Sequence, residues 1–134
     1  MVKKENEQAR AFSLAAAKIA QETHCTDVVV LDLQGMSPAT DFFVLATGTS
    51  NRQMRTVCDD VSQAARDQGF KKYGSAGYEQ AKWILLDFVD VVFHVFDEDA
   101  RVYYDLENLW PDAIQLEVPP YIEPETPDSE DKSD

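Results

Sequence analysis

The sequence predicts an α/β domain in which a small mixed sheet of about five strands packs with two main helices. Two segments place apolar residues at helical spacing, and several short runs rich in β-branched and aromatic residues are bounded by turn-forming residues. The chain has 134 residues, of which 44% are hydrophobic, and no internal repeat is visible. This length and composition are sufficient for one domain with a hydrophobic core.

The first half of the chain is predicted to contain two helices and two strands. The first helix covers about residues 5–23 and places an apolar stripe on one face. The stripe consists of Phe12, Ala16, Ile19 and Ala20. Residues 28–33 and 42–47 are predicted to be buried strands. Residues 48–51 then provide a tight turn and N-cap candidates for a second helix, which Gly69 ends.

The second half is predicted to complete the sheet with three strands. A short strand at residues 70–73 and a loop at 74–77 precede longer strands at 82–88 and 91–96. The last two strands form a hairpin with its tip at residues 87–90, because only a few residues separate the two apolar runs.

The C-terminal segment differs in composition from the rest of the chain. Residues 111–134 hold five of the six prolines and eight acidic residues against one lysine, a net charge of −7 out of −13 for the whole chain. We therefore divide the chain into a domain of residues 1–115 and an acidic, proline-rich tail of residues 116–134. The tail is predicted to be disordered, because it cannot bury enough apolar surface to offset its ordering entropy.

Composition also argues against several classes of protein. A net charge of −13 does not favour direct, sequence-specific nucleic-acid binding, since affinity for phosphate backbones depends on Lys and Arg. Cys25 and Cys58 are isolated and only two histidines are present, so neither a disulfide framework nor a metal site is predicted. No apolar run approaches the ~20 residues that span a bilayer, and residues 1–10 lack the apolar core of a signal peptide. These features predict a cytoplasmic protein without a cofactor, a metal or a membrane anchor.

One segment offers an enzymatic alternative. Gly48, Thr49 and Ser50 form a strand-to-helix turn of the kind that holds phosphate in nucleotidyltransferases and other nucleotide-binding enzymes. Those enzymes also need convergent carboxylates for Mg²⁺. The acidic triplet from Asp97 to Asp99 follows the last predicted strand, with no expected partner near the turn. Helix capping and solubility are therefore the favoured roles of these residues.

Other candidates for catalysis also have simpler explanations. His94 lies between Phe93 and Val95 with no nucleophile at a recognisable spacing, so it is predicted to pack on the sheet. Asp87 and Asp90 lie at the hairpin tip, where aspartate commonly forms turns. No catalytic residue is predicted.

The stretch from Lys82 to Trp110 favours a binding surface instead. Alternation over residues 91–96 makes both faces of a strand apolar, so both faces need cover. Two helices cannot easily cover both faces of the sheet. Trp83, Tyr104 and Trp110 could all be core residues. Large aromatic residues beside charged residues are also typical of interface hot spots, which favours a second protein as the remaining cover.

Three motifs in order resemble the ribosomal silencing factor (Iojap-related) family over nearly all of residues 10–110. They read VVVLDLQGMSPATDFFVLATGTSNRQMR, WILLDFVDVVFHVF and ARVYYDLENLW. The family-like residues are Asp32, Gly35, Ser37, Asp41 and Phe43 in the first motif, Trp83, Asp87, Asp90, His94 and Phe96 in the second, and Arg101, Tyr104, Leu106, Leu109 and Trp110 in the third. The chain departs from the family at the hairpin tip Phe88-Val89, where relatives often carry an aromatic residue or leucine followed by glycine, because Val89 takes the place of that glycine.

The resemblance implies a nucleotidyltransferase-like fold without the catalytic site, and a role that is not enzymatic. Family members bind universal ribosomal protein fourteen of the large ribosomal subunit, block association with the small subunit and repress translation during nutrient limitation. A large-subunit assembly factor is the alternative within this class, and a homodimer is a further expectation. The implied partner-binding residues are Trp83, Asp87, Phe88, Asp90, His94, Phe96, Arg101, Tyr104, Leu106 and Trp110.

Overall fold

A computed structural model describes residues 6–122, in which a mixed six-stranded sheet carries two long helices on one face. The strands are β1 (Thr26–Asp32), β2 (Phe42–Thr47), β3 (Gly74–Ala76), β4 (Trp83–Asp87), β5 (Val91–Phe96) and β6 (Ile114–Leu116). The helices are α1 (Glu7–Glu22), α2 (Asn51–Asp67) and the short α3 (Glu98–Tyr104), which a 3-10 turn at Leu106–Leu109 follows. The strand order is β3-β4-β5-β2-β1-β6. The predicted α/β class is confirmed.

Side-chain caps define where the helices begin. The Ala9 N–H donates to Asn6 Oδ1 at 3.2 Å at the start of α1, and the Gln53 N–H donates to Ser50 Oγ at 3.0 Å at the start of α2. Each bond satisfies an amide that the first helical turn leaves free. Gly69 follows α2 with a φ of 83°, the left-handed conformation that commonly ends helices.

The main core lies between the sheet and these two helices. Alternation along β2 and β5 directs Phe42, Val44, Phe93 and Val95 toward the helices, where all four are fully buried. Phe12 of α1 is fully buried in the same core. This arrangement covers one face of the sheet and leaves the other to the rest of the chain.

The third strand lies later in the chain than predicted. Residues 74–76, expected to be a loop, form the edge strand β3 and pair with residues 85–87 of β4. The expected strand at residues 70–73 is absent, because Phe70 turns inward and stacks on Phe12 with ring centroids 4.7 Å apart. All three residues of β3 are exposed, so the strand has no apolar alternation that could mark it in the sequence.

A sixth strand was not predicted. β6 pairs antiparallel with β1, placing Leu116 opposite Val30. The predicted boundary between residues 115 and 116 therefore falls inside a strand, and Leu116 and Val118 pack against the main core. Residues 123–134 of the predicted tail lie outside the described residues.

The predicted hairpin between β4 and β5 is confirmed. Its strands pair antiparallel from Trp83 opposite Phe96 to Asp87 opposite Val92. At the tip, Asp87 Oδ1 accepts a 2.8 Å hydrogen bond from the Val89 N–H, as expected of a turn-forming aspartate. Val89 has a φ of 74°, a left-handed conformation that favours glycine, so a β-branched residue is strained at this position.

Candidate functional site

The face of the sheet opposite α1 and α2 is only partly covered. Its inner layer is a small apolar cluster over which α3 and the 3-10 turn lie. The buried members are Leu31, Leu33, Leu45, Phe96, Ala100 and Leu106. Because α3 has only seven residues, aromatic side chains from two strands, from α3 and from the end of the 3-10 turn remain at the surface.

We call Phe43, Trp83, Tyr104 and Trp110 the aromatic patch. The Trp83 ring contacts Tyr104 at a centroid distance of 4.5 Å, and Phe43 contacts Trp110 at 5.1 Å. Tyr104 is 47% exposed, and the other three side chains are half-buried. Four large rings held together at the surface are characteristic of a protein-binding site.

His94 and Phe96 of β5 form the floor of the aromatic patch. Trp83 stacks on Phe96 at 5.2 Å, and Phe43 meets His94 edge to face at 4.5 Å. The Trp83 indole N–H donates to His94 Nδ1 at 3.1 Å. Both floor residues are buried, so they support the patch and do not belong to its exposed surface.

Burial of His94 predicts a loss of stability in acid. Desolvation lowers the pKa of His94 to about 3, against an ordinary value near 6.5. The unfolded chain binds a proton as the pH falls below about 6.5 and the folded chain does not until about 3, so the free energy of unfolding decreases across this window. In this window the contribution of His94 to the free energy of unfolding falls by up to about 1.4 kcal/mol per pH unit. Urea unfolding at several pH values should show that wild type loses stability relative to a His94→Asn variant as the pH falls. A difference in unfolding free energy that stays constant with pH would contradict this prediction.

Arg101 connects α3 to its surroundings. Its guanidinium donates to Thr47 Oγ1 of β2 at 2.8 Å and forms an ion pair with Glu107 at 3.1 Å. These bonds hold α3, the 3-10 turn and β2 together, which fixes the position of Tyr104. The predicted site residue Arg101 therefore has internal partners. The predicted site residue Leu106 is buried in the apolar cluster.

Two other predicted site residues face the opposite side of the molecule. Phe88 is 3% exposed and packs edge to face on Phe12 of α1 at 5.3 Å, so it belongs to the main core. The Asp90 carboxylate accepts a 3.0 Å hydrogen bond from the side-chain amide of Asn6 at the start of α1. Both lie away from the aromatic patch, because a residue at a hairpin tip is not bound to the alternation of its strands. Asp87 remains on the patch side of β4, where it forms the turn.

Phe43 is the member of the patch that was not predicted to be a site residue. The signal was the pair Phe42-Phe43 in a buried strand, because alternation must turn one of two adjacent rings away from the helices. Phe43 lies beside Val92 in the parallel pairing of β2 with β5, which brings it next to His94. Sequence alone did not reveal that these two strands are neighbours.

The surroundings of the patch are acidic. Residues 97–112 hold six carboxylates and one arginine, a net charge of −5. Glu98, Asp99, Asp105 and Asp112 are exposed in this segment. A partner with a basic surface would meet complementary charge around the apolar contact.

The turn at Gly48 to Ser50 lies much closer to acidic residues than expected. Since β2 and β5 are parallel neighbours, their C-terminal ends lie side by side. The Gly48 N–H donates to Phe96 O at 2.7 Å. Asp97, Glu98 and Asp99 therefore line the same cleft of about 420 Å³ as the turn, which corrects the expectation that they lie apart from it. Helix capping is confirmed, because Asp97 Oδ1 accepts from the Ala100 N–H at 2.8 Å, and Ser50 caps α2. The cleft lining includes no basic residue that could hold a phosphate.

Within residues 6–122, no three or more His, Cys, Asp or Glu side chains are grouped so that they could hold a metal ion. No helix there combines the length and apolar character needed to cross a membrane. Cys25 and Cys58 are free and buried, and burial raises the pKa of the Cys58 thiol to about 12.

Comparison with known proteins identifies the family. The protein-family model described as "Ribosomal silencing factor during starvation" matches residues 6–134 of this chain. This chain belongs to the ribosomal silencing factor family. A ribosomal silencing factor of Halalkalibacterium halodurans is 39% identical over 77% of this chain and 88% of its own length. One of Bacillus subtilis is 36% identical over 73% of this chain and 83% of its own.

Solved structures agree with this assignment. A crystal structure of a Chromobacterium violaceum protein matches with a TM-score of 0.71 and 30% identity, over 81% of this chain and 88% of that one. Ribosomal silencing factors are regulatory proteins rather than enzymes. Membership in the family therefore connects this chain with the ribosome and with regulation of translation.

Proposed function

We propose that this ribosomal silencing factor binds the large ribosomal subunit through universal ribosomal protein fourteen and thereby blocks association with the small subunit. The observation that supports this function is the aromatic patch, an apolar surface that the helices of the chain leave uncovered. The family description, which refers to starvation, supports repression of translation when nutrients are scarce. We place this activity in the cytoplasm as part of the same proposal.

The mechanism needs occupancy and no chemical step. A protein seated where the small subunit docks excludes that subunit for as long as it stays bound. Silencing then depends on affinity and residence time in competition with the small subunit. Trp83 and Tyr104 supply the apolar anchor, and the acidic segment of residues 97–112 attracts a basic ribosomal protein.

The same patch supports a homodimer in the absence of ribosomes. An exposed apolar surface on a small domain is commonly covered by a second copy, and a two-fold arrangement would pair the patch with itself. Dimer and ribosome would then compete for one surface, so titration with large subunits should convert the dimer into bound monomer.

Sedimentation of the purified protein with large subunits, small subunits and assembled ribosomes tests this function. Co-migration with large subunits, together with fewer reassociated ribosomes in the same gradients, is the expected result. Binding to small subunits or to neither subunit would refute the proposal. Tighter binding to precursors than to mature large subunits would instead support the alternative role in assembly.

A further inference from the structure

His94 lies in the floor of the aromatic patch and is only 2% exposed. On one side it accepts the 3.1 Å hydrogen bond from the Trp83 indole, and on the other it meets Phe43 edge to face at 4.5 Å. Trp83 contacts Tyr104, and Phe43 contacts Trp110. His94 therefore joins the two halves of the patch.

The hydrogen bond also determines which ring nitrogen carries the proton. A neutral imidazole has one N–H and one acceptor nitrogen, and burial keeps His94 neutral at neutral pH. Since Nδ1 accepts from the indole, the proton lies on Nε2. Nε2 is buried and has no hydrogen-bond partner among the described residues.

This arrangement is costly for folding. A buried N–H without an acceptor destabilises the folded state, and leucine would fill an apolar position without that cost. The benefit of histidine here is the acceptor that it offers to the indole. That acceptor fixes the orientation of a large ring which would otherwise rotate about its side-chain bonds.

We propose that His94 is a positioning residue that holds the Trp83 indole in the orientation in which it meets the ribosomal partner. A side chain that is already ordered loses less conformational entropy when it binds, so the bond increases affinity although His94 does not touch the partner. This role rests on the proposed function, because Trp83 is the central side chain of the proposed docking surface.

Nuclear magnetic resonance of the free protein tests the geometry without a ribosome. The ¹⁵N shifts of the His94 ring should show an unprotonated Nδ1 and a protonated Nε2 at neutral pH. Hydrogen exchange at the Trp83 indole N–H should become faster in His94→Leu than in wild type. A proton on Nδ1, or unchanged indole exchange, would overturn the positioning role whatever the binding data show.

Binding to isolated large subunits tests the consequence. His94→Leu removes the acceptor, whereas His94→Asn places Oδ1 close to the position of Nδ1 and serves as the matched control. We expect His94→Leu to bind about fivefold more weakly, as for loss of one neutral hydrogen bond, and His94→Asn to bind close to wild type. The His94→Leu variant should remain at least as resistant to urea as wild type, which separates this loss from unfolding.

Trp83→Ala in the same assay distinguishes failure of this role from failure of the proposed function. If Trp83→Ala loses binding and His94→Leu does not, the positioning role is wrong and the docking surface stands. If Trp83→Ala binds as wild type, the proposed docking surface is wrong and the role of His94 falls with it.

Discussion

Replacing Trp83 by alanine is expected to weaken binding to isolated large ribosomal subunits by about thirtyfold or more, which corresponds to about 2 kcal/mol. Trp83 contacts Tyr104 at 4.5 Å and Phe96 at 5.2 Å, and it donates to His94. It therefore connects the exposed part of the patch with its buried floor. Truncation removes both the surface that the partner meets and the support for Tyr104. A sedimentation titration with large subunits measures the loss.

Tyr73→Ala is the matched control for this experiment. Tyr73 is also a large aromatic residue and is 71% exposed, but it lies before β3 and outside the patch. Its removal should leave both binding and subunit joining unchanged. If the Trp83 variant is too unstable to interpret, Tyr104→Ala tests the same surface from α3 with less loss of buried contact. Wild-type inhibition of subunit joining by a folded Trp83→Ala protein would refute the docking surface.

The elements with a clear pattern were predicted correctly from the sequence, and the exposed edge strands were not. Helix α1 has a regular apolar stripe, and β5 is a run of six mostly β-branched and aromatic residues. By contrast, β3 has three exposed residues, and β6 pairs with a strand more than eighty positions earlier in the chain. A short edge strand forms because it pairs with its neighbour in the sheet, and local sequence patterns do not show that pairing.

The aromatic residues of the candidate site could be predicted from the sequence, but their arrangement required the fold. Sequence patterns and the family motifs identified Trp83, Tyr104 and Trp110, which the structure places within one patch. They also suggested Phe88, whose ring is in the main core, and did not single out Phe43 as a site residue. Phe88 lies at a hairpin tip, where the alternation of the strand no longer holds, and Phe43 joins the patch through the parallel pairing of β2 with β5, which no local motif specifies. Whether a side chain is floor, surface or core depends on its neighbours across the sheet.

Gly77→Ala is expected to be the most destabilising small change near the site. Gly77 has a φ of 85°, and a Cβ built there would lie 1.9 Å from the backbone oxygen of Trp83. The left-handed conformation alone costs a non-glycine residue about 1–2 kcal/mol. Because the clash is with backbone, relief requires the loop of residues 77–81 to move away from β4, which adds at least about 2 kcal/mol. Urea unfolding of wild type and variant measures the total.

Gly69→Ala provides a control with almost the same backbone conformation and no clash. Gly69 has a φ of 83°, and a Cβ there would meet nothing within 4 Å, so only the conformational cost of about 1–2 kcal/mol should appear. Equal losses for the two variants would show that the loop before Trp83 yields without cost. A larger loss of stability for Gly77→Ala, together with weaker binding to large subunits, would connect the packing of this loop with the binding role of Trp83. The close packing of this loop on the Trp83 backbone would then set the position of the indole before His94 sets its orientation.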